Sequence, residues 1–178
     1  MEDAIRHIES GLGSYTIETV VDGPDTIVRI HDGQELVGTI WMTKGDHKET
    51  VRSGKRRIDV YAHQILSLGV EEPYRGRGFA KRLMIYGMCK MMQTAPSVQW
   101  WVLDDDSDAS DPAHNIYTSF GFEPVEPSGP ERQLSVVRFK RLLPSLLKPL
   151  GYTGVRTRSR SKRRTSRKAS RSKRKSKK

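Results

Sequence analysis

Apolar and polar residues alternate over positions 15–21, where β-branched side chains dominate, and this period of two predicts a strand. Gly23-Pro24 then marks a turn. Two more runs, 26–31 and 35–43, flank Asp32-Gly33, a strong hairpin signal. The charged stretch 45–55 shows no period and reads as a loop. Residues 57–70 read as one long, bent strand, and 76–93 as a helix. Val98, Trp100, Trp101, Val102 and Leu103 leave little polar face, so 97–103 reads as a buried strand. An acidic loop, 104–111, leads to a short helix at 112–120, with Asp111 as its cap and Pro112 in its first position. Alternation over 133–140 predicts a last strand. Short helices at 3–10 and 142–150 open and close the pattern. An early hairpin followed by strands that alternate with helices predicts an α/β fold with a mixed central sheet and flanking helices.

The junction between the long strand and its helix carries the first chemical signal, Tyr74-Arg75-Gly76-Arg77-Gly78-Phe79-Ala80. A glycine turn that opens a helix leaves backbone N–H groups unpaired, and with the helix dipole they suit a phosphate. Gly76 and Gly78 let the backbone approach a ligand with no Cβ in the way. The nicotinamide fingerprint needs a third glycine where this chain has Lys81, and the Gly-Lys-Ser/Thr ending of a P-loop is absent.

The remaining pattern, Arg-x-x-Gly-x-Ala at Arg75, Gly78 and Ala80, follows Leu68-Gly69-Val70-Glu71-Glu72-Pro73. Together they resemble the coenzyme A loop of the GCN5-related N-acetyltransferases (GNAT). Tyr117-Thr118-Ser119-Phe120-Gly121-Phe122-Glu123 resembles the same family's late motif, a short helix ending in Tyr before a Gly-Phe strand start. Ala113 matches as well, whereas Ser110 stands where the family usually has Asn. The likeness spans residues 15–140. One departure concerns the acceptor side: the family places two helices between its first two strands, and here only 22–25 fill that interval. Either the first strand lies elsewhere or the lid is missing, with 45–55 as a partial replacement.

The resemblance implies direct transfer of an acetyl group from acetyl-coenzyme A, the cosubstrate, to a primary amine, with the enzyme aligning the two. It implies that the backbone of Arg75, Gly76, Arg77, Gly78, Phe79 and Ala80 holds the pyrophosphate. The Arg75 and Arg77 side chains, and Lys81 or Arg82, would add charge; the bland alternative is a solvated helix start. Leu68 and Val70 would meet the pantetheine arm, with the Val70 N–H polarising the thioester carbonyl. Tyr117 would be the general acid, since a phenol and a thiol have similar pKa values; the alternative is a core tyrosine. For the general base, Gln64 stands where lysine-acetylating members often carry Glu and cannot serve. His63 points to the other face of a regular strand. Glu71 is the choice, ahead of Glu72. Cys89, amid Met88, Met91 and Met92, reads as a buried inert thiol rather than a nucleophile. The aspartates of 104–111 lack the spacing and glycine of a calcium loop, so no metal is expected.

Charge divides the chain in two. The net charge is +11, yet residues 156–178 hold fourteen Lys or Arg and no acid. That leaves 18 basic and 21 acidic residues for the rest, a net of −3. Residues 1–150 therefore read as the acetyltransferase domain, and 151–178 as a disordered basic tail that lacks the apolar residues to fold. The tail suits nucleic acid, another polyanion or nuclear import, without base stacking, since it has no aromatic residue. A purely solubilising tail is the alternative. A lone cysteine permits no internal disulfide and favours an intracellular setting. A nucleus or another nucleic-acid-rich compartment fits, as does packaging with nucleic acid in a virion. No run reaches the ~18 apolar residues of a membrane span. The expected acceptor is a protein lysine, followed by polyamines and small cationic amines. The reading from another class is a nucleic-acid-binding protein whose acetyltransferase domain is weak or inactive.

Overall fold

The early alternation becomes a three-stranded antiparallel meander in the computed structural model, which describes residues 1–45, 48–105, 112–126 and 129–151. β1 (Thr16–Asp22), β2 (Asp25–Asp32) and β3 (Glu35–Thr43) pair in chain order. Each turn between them has two residues and opens on a positive-φ glycine, Gly23 or Gly33, which suits the twist of hairpin strands. β3 pairs with the second half of β5 (Arg56–Val70), while β4 (Lys48–Ser53) pairs with its first half. α2 (Phe79–Thr94) crosses from β5 to β6 (Trp100–Asp104), which lies parallel to β5. β8 (Glu131–Ser135) and the two-residue β7 (Glu123–Pro124) complete the mixed sheet, in the order β1-β2-β3-β5-β6-β8-β7.

α1 (Glu2–Ser10) buries Ala4, Ile5 and Ile8, and packs on α2. α2 is apolar around most of its circumference because it is enclosed, by α1 and by β2, β3 and β5. Val28, Ile30, Ile40, Met42, Ile65, Trp101 and Leu103 meet the helices from the sheet in one core. α3 (Pro112–Phe120) and α4 (Val136–Leu147) join that core through Phe120, Phe139 and Leu143. A smaller cluster of Val51, Ala62 and Val102, with Val60 and Trp100, lies on the opposite face of β5 and β6.

Two expectations need correction. The stretch read as a charged loop contains β4. Its only buried residue is Val51, so no alternation betrays it. Backbone pairing to β5 makes the strand, helped by the Thr50 hydroxyl donating to Asp59 (2.9 Å) and by the Gln133 amide. Buried Gln133 accepts from the Arg52 N–H (2.5 Å) and donates to the Arg52 carbonyl (2.8 Å), as a neighbouring strand would. The strand read over 133–140 ends at Ser135, whose hydroxyl caps α4 by accepting from the Arg138 N–H (3.2 Å). Val136, Phe139, Leu143, Leu146 and Leu147 are then buried at helical spacing. Pro144, inside α4, obscures that spacing in the sequence.

His63 turns into the helix-covered core against Trp101, ring centroids 4.6 Å apart, and neither ring nitrogen has a hydrogen-bond partner. Burial lowers its pKa to about 4; the nearby Ala95 backbone opposes this in part, and the Lys44 charge adds a smaller push downward. The unfolded chain therefore takes up this proton near pH 6.5 and the folded chain only near 4. Stability is full above pH 6.5 and falls between these values, by up to about 3 kcal/mol. Urea unfolding at pH 7 and pH 4.5 is expected to show this loss in the wild type and a smaller one in His63→Leu. Equal losses in the two proteins would refute the assignment.

Candidate active site

The parallel pairing of β5 with β6 stops at Ile65–Leu103, yet β5 runs on to Val70. The register against β3 shifts at the same place: Met42 faces Ile65 and Trp41 faces Ser67, so Leu66 is an extra, bulged residue. A bulge bends a strand and steepens its twist, which here opens a gap beside β6. The Glu71 N–H donates to the Val37 carbonyl (2.9 Å). Antiparallel pairs alternate in type, so Val70–Gly38 and Leu68–Ile40 are non-hydrogen-bonded pairs. The N–H and C=O of Leu68 and Val70 therefore point away from β3, into the gap. Arg75 Nε donates to the Val70 carbonyl (3.1 Å), leaving the Val70 N–H to face inward.

A 3-10 turn, Glu72–Tyr74, leads from β5 to the glycines. Gly76 (φ 74°) and Gly78 (φ 81°) are left-handed, which turns the chain sharply into α2. Gly78 is the N-cap, without a side chain to cap the first-turn N–H groups, and no acidic residue lies in that turn. These donors and the positive end of the dipole converge on one point, at the carboxyl ends of the parallel strands, where α/β sheets bind ligands.

The loop's cations are more constrained than the sequence suggests. The Arg77 guanidinium donates to the Tyr15 hydroxyl (2.7 Å) and lies 5.6–5.7 Å from the ring centres of Tyr15, Tyr74 and Phe79. Arg82 donates to the Arg77 carbonyl (3.2 Å), stands over the Phe79 ring, and has its pKa lowered by burial. Tyr74 donates to Glu35 (3.0 Å) and reaches Asp32 (3.4 Å). That hydrogen bond to Glu35, with burial and both carboxylate charges, raises its pKa to about 12. Tyr74 is thus a brace between the β2–β3 turn and the loop. Sequence reasoning missed Tyr15 and Tyr74; their partnership spans 59 residues and has no local signal.

Tyr117, half-buried on α3, sets its ring edge-on to Phe122 (6.2 Å), whose N–H donates to the Tyr117 carbonyl (3.1 Å). The Tyr-Gly-Phe stretch is therefore a folded unit, in which Gly121 terminates α3. Glu71 and Glu72 are exposed at the end of β5. Gln64 lies beside Val102, on the face away from the helices. The β1–β2 turn at Gly23-Pro24 confirms that no helices fill that interval; α1, ahead of β1, takes a place on α2 instead. The sheet face away from α2 consequently shows Trp41 (41% exposed) and Leu66 (43%) beside the gap.

Cys89 is fully buried, and burial pushes its thiol up to about 12. A reagent such as iodoacetamide is expected to leave native Cys89 unmodified for hours at pH 7.5 and to label it on unfolding; prompt native labelling would contradict this. Of the aspartate cluster, Asp105 is buried and paired with Arg132 (3.3 Å), while 106–111, with Ser110 and Asp111, lie outside the described residues. Among the described residues no group of three or more His, Cys, Asp or Glu could hold a metal ion, and no helix is long and apolar enough to cross a membrane.

Two surface cavities, of about 460 and 190 Å³, sit at the opposite end of β5, lined by Arg52, Lys55, Arg57 and Arg138 among others. Arg57 is paired there with Glu126 and Arg138 with Glu123. Volume favours these cavities, but donor chemistry favours the glycine loop, where the first turn of α2 carries no acidic residue.

Residues 23–124 of the 178, from the β1–β2 turn to β7 and including the loop and Tyr117, match the family model described as an acetyltransferase (GNAT) domain. Similar solved structures include a tyrosine-to-phenylalanine mutant of KacT, at 11% identity and a TM-score of 0.58, covering 72% of this chain and 99% of that one. Another is a tyrosine-to-phenylalanine mutant of the AtaT toxin bound to the C-terminus of the antitoxin AtaR and acetyl-CoA, at 12% identity, TM-score 0.54, and 72% and 98% coverage. A third is a KacTA–DNA complex, at 12% identity, TM-score 0.55, and 72% and 97% coverage. At these identities the likeness is one of fold. No protein of curated function matches the sequence.

Proposed function

This chain belongs to the GNAT acetyltransferase family, whose acyl donor is acetyl-CoA, and from that premise we propose that it acetylates the ε-amine of a protein lysine. The observation that carries the reading is the joint orientation of two elements. Leu68 and Val70 turn their backbone into the gap, and the uncapped start of α2 lies one short loop away. The first suits a pantetheine arm, the second a pyrophosphate. Arg75, Gly76, Arg77, Gly78, Phe79 and Ala80 hold the phosphates chiefly through the backbone, since Arg77 and Arg82 are engaged within the protein. The Val70 N–H stabilises the charge that develops on the thioester oxygen as the amine attacks. Tyr117 gives its proton to the departing sulfur, and Glu71 removes the amine proton through water.

The exposed β-face with Trp41 and Leu66 admits a broad acceptor such as a protein segment, because no described helix lids it. Residues 1–150 form the catalytic domain and 151–178 a tail that binds nucleic acid or another polyanion. Such a tail fits a nucleus, another nucleic-acid-rich compartment, or packaging with nucleic acid in a virion. The second reading, a nucleic-acid-binding protein with an inactive domain, draws on Gln64 at the usual place of a catalytic Glu.

Thiol release from acetyl-CoA, measured with lysine peptides in basic sequence, polyamines and small amines, tests the reading. The basic lysine peptides are expected to give the highest kcat/KM. A polyamine ahead of every peptide would replace the acceptor, and cofactor binding without release would favour the second reading.

A further inference from the structure

Leu150 ends the described fold on the rim of the candidate active site. The 3-10 turn Lys148–Leu150 follows α4 and docks on α1, where His7 Nε2 and the Leu150 carbonyl are 3.1 Å apart. Its other flank meets the glycine loop: a Cβ on Gly78 would stand 3.8 Å from Leu150 Cδ2. The described residues thus end, at Gly151, beside the N-terminus of α2. Lys162, the first lysine after Leu150, comes twelve residues later, a span of at most about 40 Å. Val70 is eight residues from Gly78, at most about 28 Å even if that loop were straight, and the Arg75–Val70 hydrogen bond folds it shorter. The thioester position therefore lies within reach of Lys162. Lys168, Lys173, Lys175, Lys177 and Lys178 have longer tethers.

Charge at the rim is balanced. Asp32 and Glu35 flank the Tyr74 hydroxyl, and Glu71 and Glu72 precede the loop with exposed side chains. Arg75, Arg77, Lys81 and Arg82 stand on the same rim and offset those four carboxylates, so it is the tether that brings the tail to the site. Of the body lysines, Lys81, Lys90, Lys140 and Lys148 are held on helices or the 3-10 turn after α4, Lys48 lies on β4, and Lys44 and Lys55 lie in the connections on either side of it, without the long tether of the tail.

We propose that the lysines of residues 162–178 are acetyl acceptors of this same molecule's active site. The inference rests on the acetyl transfer to lysine read above and names a substrate for it. The neutral ε-amine forms a C–N bond to the acetyl carbon as the C–S bond breaks; the sulfur leaves with a proton from Tyr117, and the nitrogen loses one to water and Glu71. A tether raises the effective concentration to the millimolar range, so the tail is acetylated ahead of dilute outside acceptors. Each event removes one positive charge. Acetylating all six lysines leaves eight arginines and lowers the salt slope of polyanion binding by up to about 0.9 per lysine.

The test incubates the full chain with acetyl-CoA and follows intact mass, with fragment masses to place the acetyl groups. Acetylation confined to residues 162–178, first order and unchanged in rate constant over a tenfold dilution of protein, is expected. A variant with all six tail lysines changed to Arg should stay unmodified and still release thiol with an external lysine peptide. A wild type that turns over the external peptide but gains no tail acetyl group overturns this proposal and spares the acetyltransferase reading. So does labelling spread over body lysines, or a rate constant that grows with protein concentration. Absence of thiol release with any amine overturns both.

Discussion

Tyr117→Phe is expected to lower kcat by about 10²- to 10⁴-fold, with acetyl-CoA affinity changed less than twofold. The substitution removes only the hydroxyl. The ring's edge-on contact with Phe122 and the hydrogen bond from the Phe122 N–H to the residue-117 carbonyl do not involve that oxygen. Stability should fall by no more than the roughly 1 kcal/mol of a lost hydrogen bond. A thiolate that departs without a proton donor rises in energy only as the C–S bond breaks, so the loss appears in kcat. Steady-state thiol release with a saturating amine, beside calorimetric titration of the cofactor, reads the two quantities separately. A variant with unchanged kcat would make Tyr117 a packing residue and leave the acid to another group or to water.

Gly78→Val is the counterpart on the binding side and is expected to weaken acetyl-CoA binding at least tenfold. At φ 81° a β-branched residue is strained, by about 1–2 kcal/mol or more, and relief of that strain moves the start of α2. The new side chain also meets the Arg82 guanidinium, 3.2 Å from the Cβ position, and disturbs its bond to the Arg77 carbonyl. Gly76→Ala is the informative comparison: φ is 74°, but its Cβ would enter open space, so it carries strain with little crowding. Its loss of affinity should be smaller. Titration calorimetry of the two variants orders the effects. Equal binding by Gly78→Val and the wild type would show that phosphates are held elsewhere.

Much of the fold was legible because its signals are local. The β1–β3 meander announced itself by alternation in β1 and by glycine turns between its strands, α2 by an apolar run after a glycine loop, and α3 by Pro112 at its first position. β4 was hidden because its partners, a polar half-strand and the Gln133 amide, lie elsewhere in the chain. α4 was hidden because Val137-Arg138-Phe139-Lys140 alternates for four residues before the helical spacing emerges, and Pro144 argues against a helix. In the site, the glycine loop and the Tyr-Gly-Phe unit were readable as words. The bulge at Leu66 and the Arg77 cage were not, since each depends on register or on contacts across the sheet. The cage gives the Arg77 side chain partners in Tyr15, Tyr74 and Phe79 that the sequence did not announce.

The most direct test of the account is a titration of acetyl-CoA into isotopically labelled protein, followed through backbone amide resonances. The largest shifts are expected at Leu68, Val70 and Gly76 through Ala80, the N–H groups that line the gap and open α2. Shifts centred instead on Arg52, Lys55 and Arg57, at the far end of β5, or no shifts at millimolar cofactor, would contradict it.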